Sequence, residues 1–259
     1  MKKEIDRPED MDQKQLVDFV MDLFHRTMIH YAIWFREVEH QMGFTDALKA
    51  LKVVRERGSK IQMKRLAELF GFEQENGRPK FLANMPVDKL LHVSDELAKN
   101  WLAFDGIWFQ AVEFASGMND AKRCNDTAWT RFSPFEAWSI KELLGMEEQP
   151  GLKGLARALN FRTYGRLNRQ SVHWESDNCF VFQMNECRVQ VARKRQGLDD
   201  YPCKSAGLVE YARFAKGIDS RIKTECVGCP PDNHPAAWFC AWRFSMPEQL
   251  KAVFSKNLL

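Results

Sequence analysis

Three of the seven cysteines fall within one short run, ECVGCPPDNHPAAWFCAWRF, residues 225–244. Cys226 and Cys229 form a C-x-x-C, the spacing that lets one tight turn aim two thiolates at one metal ion, and Cys240 follows eleven residues later. Pro230 and Pro231 fix the backbone on the way out of this knuckle and lower the entropy cost of holding the sulfurs together. A tetrahedral thiolate site needs a fourth ligand. Cys203 is the first choice, because it lies two residues before Ser205, the expected N-cap of a helix, where a helix N-terminus stabilises a thiolate. Cys187 and His234 are the alternatives: Cys187 shares a face with Val189 and Val191 and reads equally as a small buried hydrophobe, and His234 lies in a proline-flanked loop. Zinc suits such a set; iron or an iron–sulfur group stays open. Cys124 and Cys179 have no partner at ligand spacing.

The elements around these cysteines are read from periodicity. Leu152, Leu155, Ala156 and Leu159 share one face of a helix beginning at Gly151. Residues 179–184 and 187–192 alternate with period two about Asn185-Glu186, which predicts a hairpin. A helix capped by Ser205 turns Leu208, Tyr211, Ala212 and Ala215 inward and stops at Gly217. Ile222, Thr224 and Cys226 alternate into the knuckle, and Trp238, Cys240, Trp242 and Phe244 alternate out of it. A last helix is expected from Ser245, with Glu248 closing a capping box. The second half is therefore expected to be an antiparallel sheet with helices on one side.

The first half is helical and repeats itself. Residues 30–72 align without a gap on residues 104–146, at a constant offset of 74, with 13 of 43 positions identical. The shared core is Ile33, Trp34, Phe35, Val38, Glu39, Gly43, Asp46 and Ala47 against Ile107, Trp108, Phe109, Val112, Glu113, Gly117, Asp120 and Ala121. Each copy is expected to hold three helices, the third started by Ser59 or Ser133 with Gln62 or Glu136 as a capping box, and a short helix over 87–99 links the copies. Two copies of one unit pack through equivalent faces, so the expectation is a pseudo-symmetric helical bundle. Glu39 and Glu113, with Asp105 as a third oxygen and Trp108 beside them, are its candidate ligand-binding residues; hydrogen bonding inside the bundle is the competing role. Trp34 and Trp108 are expected in the core.

Composition sets the outer limits. With 259 residues and 45% hydrophobic side chains the chain can build one large or two ordinary domains. The first fifteen residues are charged throughout, without an apolar targeting core, which predicts a cytoplasmic protein whose cysteines are free or metal-bound rather than disulfide-bonded. Cut at Pro150-Gly151, a turn dipeptide, the chain divides into residues 1–150, a helical repeat domain with 21 Lys+Arg against 25 Asp+Glu, and residues 151–259, with 17 against 10. The basic half admits an anionic partner, yet its charges are not gathered on one recognition helix, and tight duplex binding is not expected. The segment KRLAELFGF lacks the side chains of a recognition helix.

The runs CRVQVARKRQGL, YPCKSAGLVEYARFAKGIDSRIKTECVGCPPD and WFCAWRF, preceded by DGIWFQAVE, resemble an uncharacterised family of bacterial and archaeal cytosolic proteins, a domain of unknown function. More distantly, the C-terminal half is similar to the vinyl-reductase-type small-molecule-binding domain and to aminothiazoline-carboxylate hydrolase-like proteins. That resemblance implies a small-molecule-binding or small-molecule-processing role.

Two functions follow. In the first, the α+β domain binds a small anionic molecule, with Arg188, Arg193, Lys194 and Arg195 supplying charge; a metal with an open position would activate water, with Asp232, His234 or Glu225 as proton acceptor. In the second, the cysteine site is a structural zinc, and the domain is a regulator or adaptor contacting nucleic acid or a protein. A redox role for C-x-x-C is disfavoured by the Pro-Pro and loop that follow it.

Overall fold

The computed structural model describes residues 5–195, 197 and 200–247 of the chain. Its fold is α+β, and two compact units part between Met85 and Pro86. In the first unit, a 3-10 turn precedes α1 (Gln13–Met42), whose N-cap Asp12 and third residue Gln15 bond each other's backbone N–H in a capping box. Gly43 joins it to α2 (Phe44–Phe70), and Gly71 ends α2 in the left-handed conformation. Two short strands, β1 (Gln74–Glu75) and β2 (Arg78–Pro79), pair about Asn76-Gly77, where both residues take positive φ, and α3 (Lys80–Ala83) follows. Ala47 and Ala67 are the buried apolar residues of this unit among those described.

The second unit opens with α4 (Val87–Ser116) and α5 (Met118–Leu144), joined by Gly117. Gly43 and Gly117 both have φ 89°, a region that favours glycine. Each copy of the sequence repeat thus contains two long helices rather than three, and the expected linking helix over 87–99 is the first part of α4. Ser59 and Ser133 lie mid-helix. Ser133 is fully buried, and Glu136, instead of closing a capping box, accepts a hydrogen bond from Arg162. Helix α5 continues through Pro134 because its apolar face persists on both sides of that residue. Trp34 and Trp108, expected in the core, are 60% and 67% exposed.

Next come α6 (Gly151–Leu159), a 3-10 turn (Thr163–Arg166), β3 (Arg169–Ser176), β4 (Cys179–Glu186), α7 (Arg188–Arg195), α8 (Lys204–Ile218), β5 (Lys223–Gly228) and β6 (Cys240–Ser245). The four strands β3 to β6 form an antiparallel sheet in the order β3-β4-β6-β5. The expected hairpin is shifted by one strand: β4 pairs with β3 about Asp177-Asn178, and residues 188–195 form a helix. The alternation of Cys187, Val189 and Val191 fits a strand, but the segment buries Gln190, whose amide grips the Tyr201 backbone. Helix α8 begins two residues earlier than expected, with Cys203 itself at the N-cap, and ends at Ile218. Ser245 ends β6, and the helix expected beyond it falls on residues outside those described, from Glu248 onward.

The core lies between the sheet and its helices. Phe180, Phe182, Met184, Trp242 and Phe244 of β4 and β6 cluster with Tyr211 and Phe214 of α8, and Ala137 and Ile140 of α5 and Leu152, Leu155 and Leu159 of α6 complete the same cluster. Because α5 shares this core, the division falls between Met85 and Pro86 rather than at the Pro150-Gly151 boundary expected from composition. Close approach of α8 to the sheet depends on Gly207, where a Cβ would stand 2.5 Å from the Trp242 ring. On the opposite face of the sheet, Arg243 pairs with Glu175 at 2.9 Å and lies 3.8 Å from Glu225.

Candidate thiol site

Strand register places two cysteines on the helix-facing side of the sheet. Cys226 of β5 is opposite Trp242 of β6, and Cys240 precedes Trp242 by two residues, so all three side chains share one face. Cys229 leaves β5 at its end and is buried. Cys203 comes from the start of α8, and its Sγ lies 3.4 Å from Cys229 Sγ. Cys229 also interacts with Cys240, and Cys226 interacts with Cys203 and Cys240. Cys203, Cys226, Cys229 and Cys240, from a helix start, a knuckle and two strands, thus lie toward one end of the sheet, with Cys203 and Cys229 in direct contact. Cys187 borders them, interacting with Cys203 and Cys240.

Polar contacts fasten this end of the fold. The Lys204 N–H donates to Pro230 O at 2.9 Å, the Lys204 ammonium pairs with Asp232 at 2.8 Å, and the Asp232 N–H donates to Cys229 O at 2.9 Å. The knuckle is thereby sewn to the first turn of α8. Buried Gln190 donates to Tyr201 O at 2.9 Å and reaches Cys203 Sγ at 3.7 Å, while its Oε1 accepts from the Tyr201 N–H. Sequence reading missed Gln190. Its one signal is an amide set between two valines, which alternation alone assigns to the outer face of a strand.

The thiols are not equivalent. The contact with Cys229 holds the Cys203 thiol below its ordinary pKa, and the contacts with Cys203 and Cys240, with burial, push Cys229 up. Burial raises Cys226 and lifts Cys187 to about 12. Among the described residues, no group of three or more His, Cys, Asp or Glu side chains is arranged to hold a metal ion as it stands.

The remaining candidates are dispersed. Glu39 belongs to α1 in the first unit, where Arg36 pairs with it at 3.0 Å, and Glu113 belongs to α4 in the second. Asp105, also on α4, is raised in pKa by burial and interacts with Tyr164, Tyr201 and Glu210. Arg188 is exposed at the start of α7, its N–H donating to Asn168 Oδ1, and Arg193 lies in the last turn of that helix. His234 sits 3.5 Å from Asp200 and stacks on Trp238. Asp232, named as a proton acceptor, is engaged by Lys204. A depression of about 280 Å³ lined by Lys153, Trp174, Glu175, Ser176 and Asp177 lies at the β3–β4 turn, the opposite end of β4 from Met184, which pairs with Cys240.

Elsewhere in the second unit, buried Arg162 is held between Glu136 at 2.8 Å and Glu210 at 2.7 Å, with the Phe214 ring 4.6 Å from its guanidinium carbon. Attraction to the two carboxylates outweighs burial and keeps Arg162 charged.

The fold and the site define an α+β layer whose thiols converge at one end of the sheet. The chain belongs to a family of unknown function, DUF6125, which matches residues 83–246. The matched span begins at the junction of the two units, so the first helical hairpin lies outside it. No curated protein and no solved structure matches the chain. No helix among the described residues is long and apolar enough to cross a membrane.

Proposed function

We propose that the second unit is a metal-binding domain of the cytoplasm that holds zinc through Cys203, Cys226, Cys229 and Cys240, and that it serves to bind a small molecule. The observation that carries the reading is the 3.4 Å approach of Cys203 Sγ to Cys229 Sγ, with Cys240 interacting with the same thiol. Zinc–sulfur bonds of about 2.3 Å set tetrahedral sulfur–sulfur edges of about 3.8 Å, so small side-chain rotations bring these thiols to ligand spacing. Cys226 is the fourth ligand because it shares the helix-facing side with Cys240; Cys187 is its substitute. With four thiolates the metal is closed to water and braces the sheet end against α8. The distant likeness to vinyl-reductase-type domains supports the small-molecule role, with α7 supplying positive charge for an anionic ligand.

The competing reading, an adaptor with structural zinc that contacts a protein or nucleic acid, draws support from the apolar residues exposed on the long helices. The two helical hairpins are read as copies of one unit: α1 and α4 are both 30 residues long, α2 and α5 both 27, and their bounds coincide at the offset of 74.

Elemental analysis of anaerobically purified protein tests the metal reading. The expected result is about one zinc per chain, with Cys226→Ser and Cys229→Ser losing metal and melting earlier. Metal-free protein whose cysteine variants melt like the parent would overturn it.

A further inference from the structure

Cys203 and Cys229 are placed to react with each other as well as to share a metal. Both are free thiols, and their sulfurs stand 3.4 Å apart. A disulfide needs about 2.05 Å, so rotation of the two side chains closes the gap. The main chain is already set for it. Lys204 and Pro230, the residues that follow the two cysteines, are joined backbone to backbone at 2.9 Å. The Asp232 N–H donates to Cys229 O at 2.9 Å, and the Asp232 carboxylate pairs with the Lys204 ammonium at 2.8 Å. None of these bonds involves a sulfur, so the start of α8 stays against the knuckle whatever the oxidation state of the thiols.

Exposure separates the roles of the two. Cys203 is partly exposed, whereas Cys229 is 1% exposed. An oxidant arriving from solvent meets Cys203 first, and Cys229 lies in contact with it to resolve the product. Cys240, which also interacts with Cys229, is itself buried, so that pair offers solvent no thiol.

We propose that a peroxide converts Cys203 and Cys229 to a reversible disulfide, and that this bond releases the metal of the thiol site. The Cys203 thiolate attacks one oxygen of the peroxide, the O–O bond breaks, and a sulfenic acid and hydroxide form. The Cys229 thiolate then attacks the Cys203 sulfur, forms the S–S bond and expels a second hydroxide. For hydrogen peroxide, two thiolates are oxidised by two electrons, the peroxide is reduced, and two protons from solvent turn the hydroxides into water. The electron pairs that bound the metal are spent, and Cys226 and Cys240 alone are half of a tetrahedral set. The new bond ties α8 to the knuckle in place of the metal, so the fold is kept while the metal leaves. Metal release rests on the zinc reading; formation of the bond does not.

Treatment of the full chain with hydrogen peroxide tests both steps. Alkylation of the remaining thiols and peptide mass mapping are expected to show one cross-linked pair, Cys203 with Cys229. A chromophoric chelator is expected to register release of the whole of the bound zinc as the cross-link forms, with circular dichroism unchanged. Dithiothreitol is expected to return both thiols, and added zinc to bind again. The double variant Cys124→Ser, Cys179→Ser is expected to behave as the parent, because neither thiol belongs to the pair. Peroxide-treated chain in which Cys203 and Cys229 are still alkylated, a bond joining Cys226 to Cys229 instead, or a product that dithiothreitol does not reduce would each overturn the switch and leave the zinc reading standing. Chain that is metal-free as purified yet forms the Cys203–Cys229 bond would overturn metal release together with the zinc reading, and would support the bond alone.

Discussion

Asp219 shows how much one side chain can hold. It is buried at the end of α8, accepting from the Gly151 N–H at 3.0 Å, from the Arg221 N–H at 3.1 Å and from the Arg221 guanidinium at 2.7 Å. The bond from Arg221 leads in lowering its pKa from 3.8 to about 2. A carboxylate depressed in the folded state stabilises the fold above its unfolded pKa, and that contribution disappears as pH falls from about 4 toward 2. Asp219→Asn should therefore cost about 2 kcal/mol at neutral pH and flatten stability across that acid window, as urea titrations at several pH values would show. Equal losses for parent and variant on acidification would contradict the assignment.

At the scale of elements, the α8-to-sheet contact is set by a missing side chain. A methyl at Gly207 would stand 2.5 Å from Trp242, a fully buried ring on a strand that cannot retreat. Gly207→Ala should cost about 1–3 kcal/mol through overpacking, although alanine is the better helix former. At Gly106, on α4, a methyl would meet nothing within 4 Å, and Gly106→Ala should be neutral or stabilise by up to about 1 kcal/mol. Thermal melts of the two variants moving in the same direction would show that packing at Gly207 is looser than its geometry implies. The same contact positions the cysteines, because α8 carries Cys203 to the end of the sheet where Cys229 and Cys240 lie.

For the whole molecule, the core clustering and the family match agree on where a self-sufficient unit begins. The buried cluster from Ala137 to Phe244 lies inside the second unit, and the family span starts at Ala83. A chain beginning at Ala83 is expected to melt cooperatively and to retain the zinc content of the full chain. Calorimetry and elemental analysis check the two parts separately. A fragment that fails to melt cooperatively would mean that the first hairpin completes the core.

The sequence by itself determined what depends on local pattern. Alternation marked β5 and β6, the 3.6 period marked α6 and α8, and Gly43 and Gly117 marked the breaks between long helices. C-x-x-C spacing likewise singled out Cys226 and Cys229, and the helix-start argument singled out Cys203. Tertiary structure decided the rest, because those choices turn on partners distant in the chain. Residues 187–192 alternate as a strand would, yet Gln190 finds the Tyr201 backbone and the segment coils into α7. Ser133 reads as a cap, yet α5 runs through it because α8 packs along that face and Arg162 claims Glu136. The meeting of Cys203 with Cys229 was decided by strand register and by Gly207 together: register put Cys226 and Cys240 on the helix side, and the absent side chain let α8 come close enough to bring its N-cap to them.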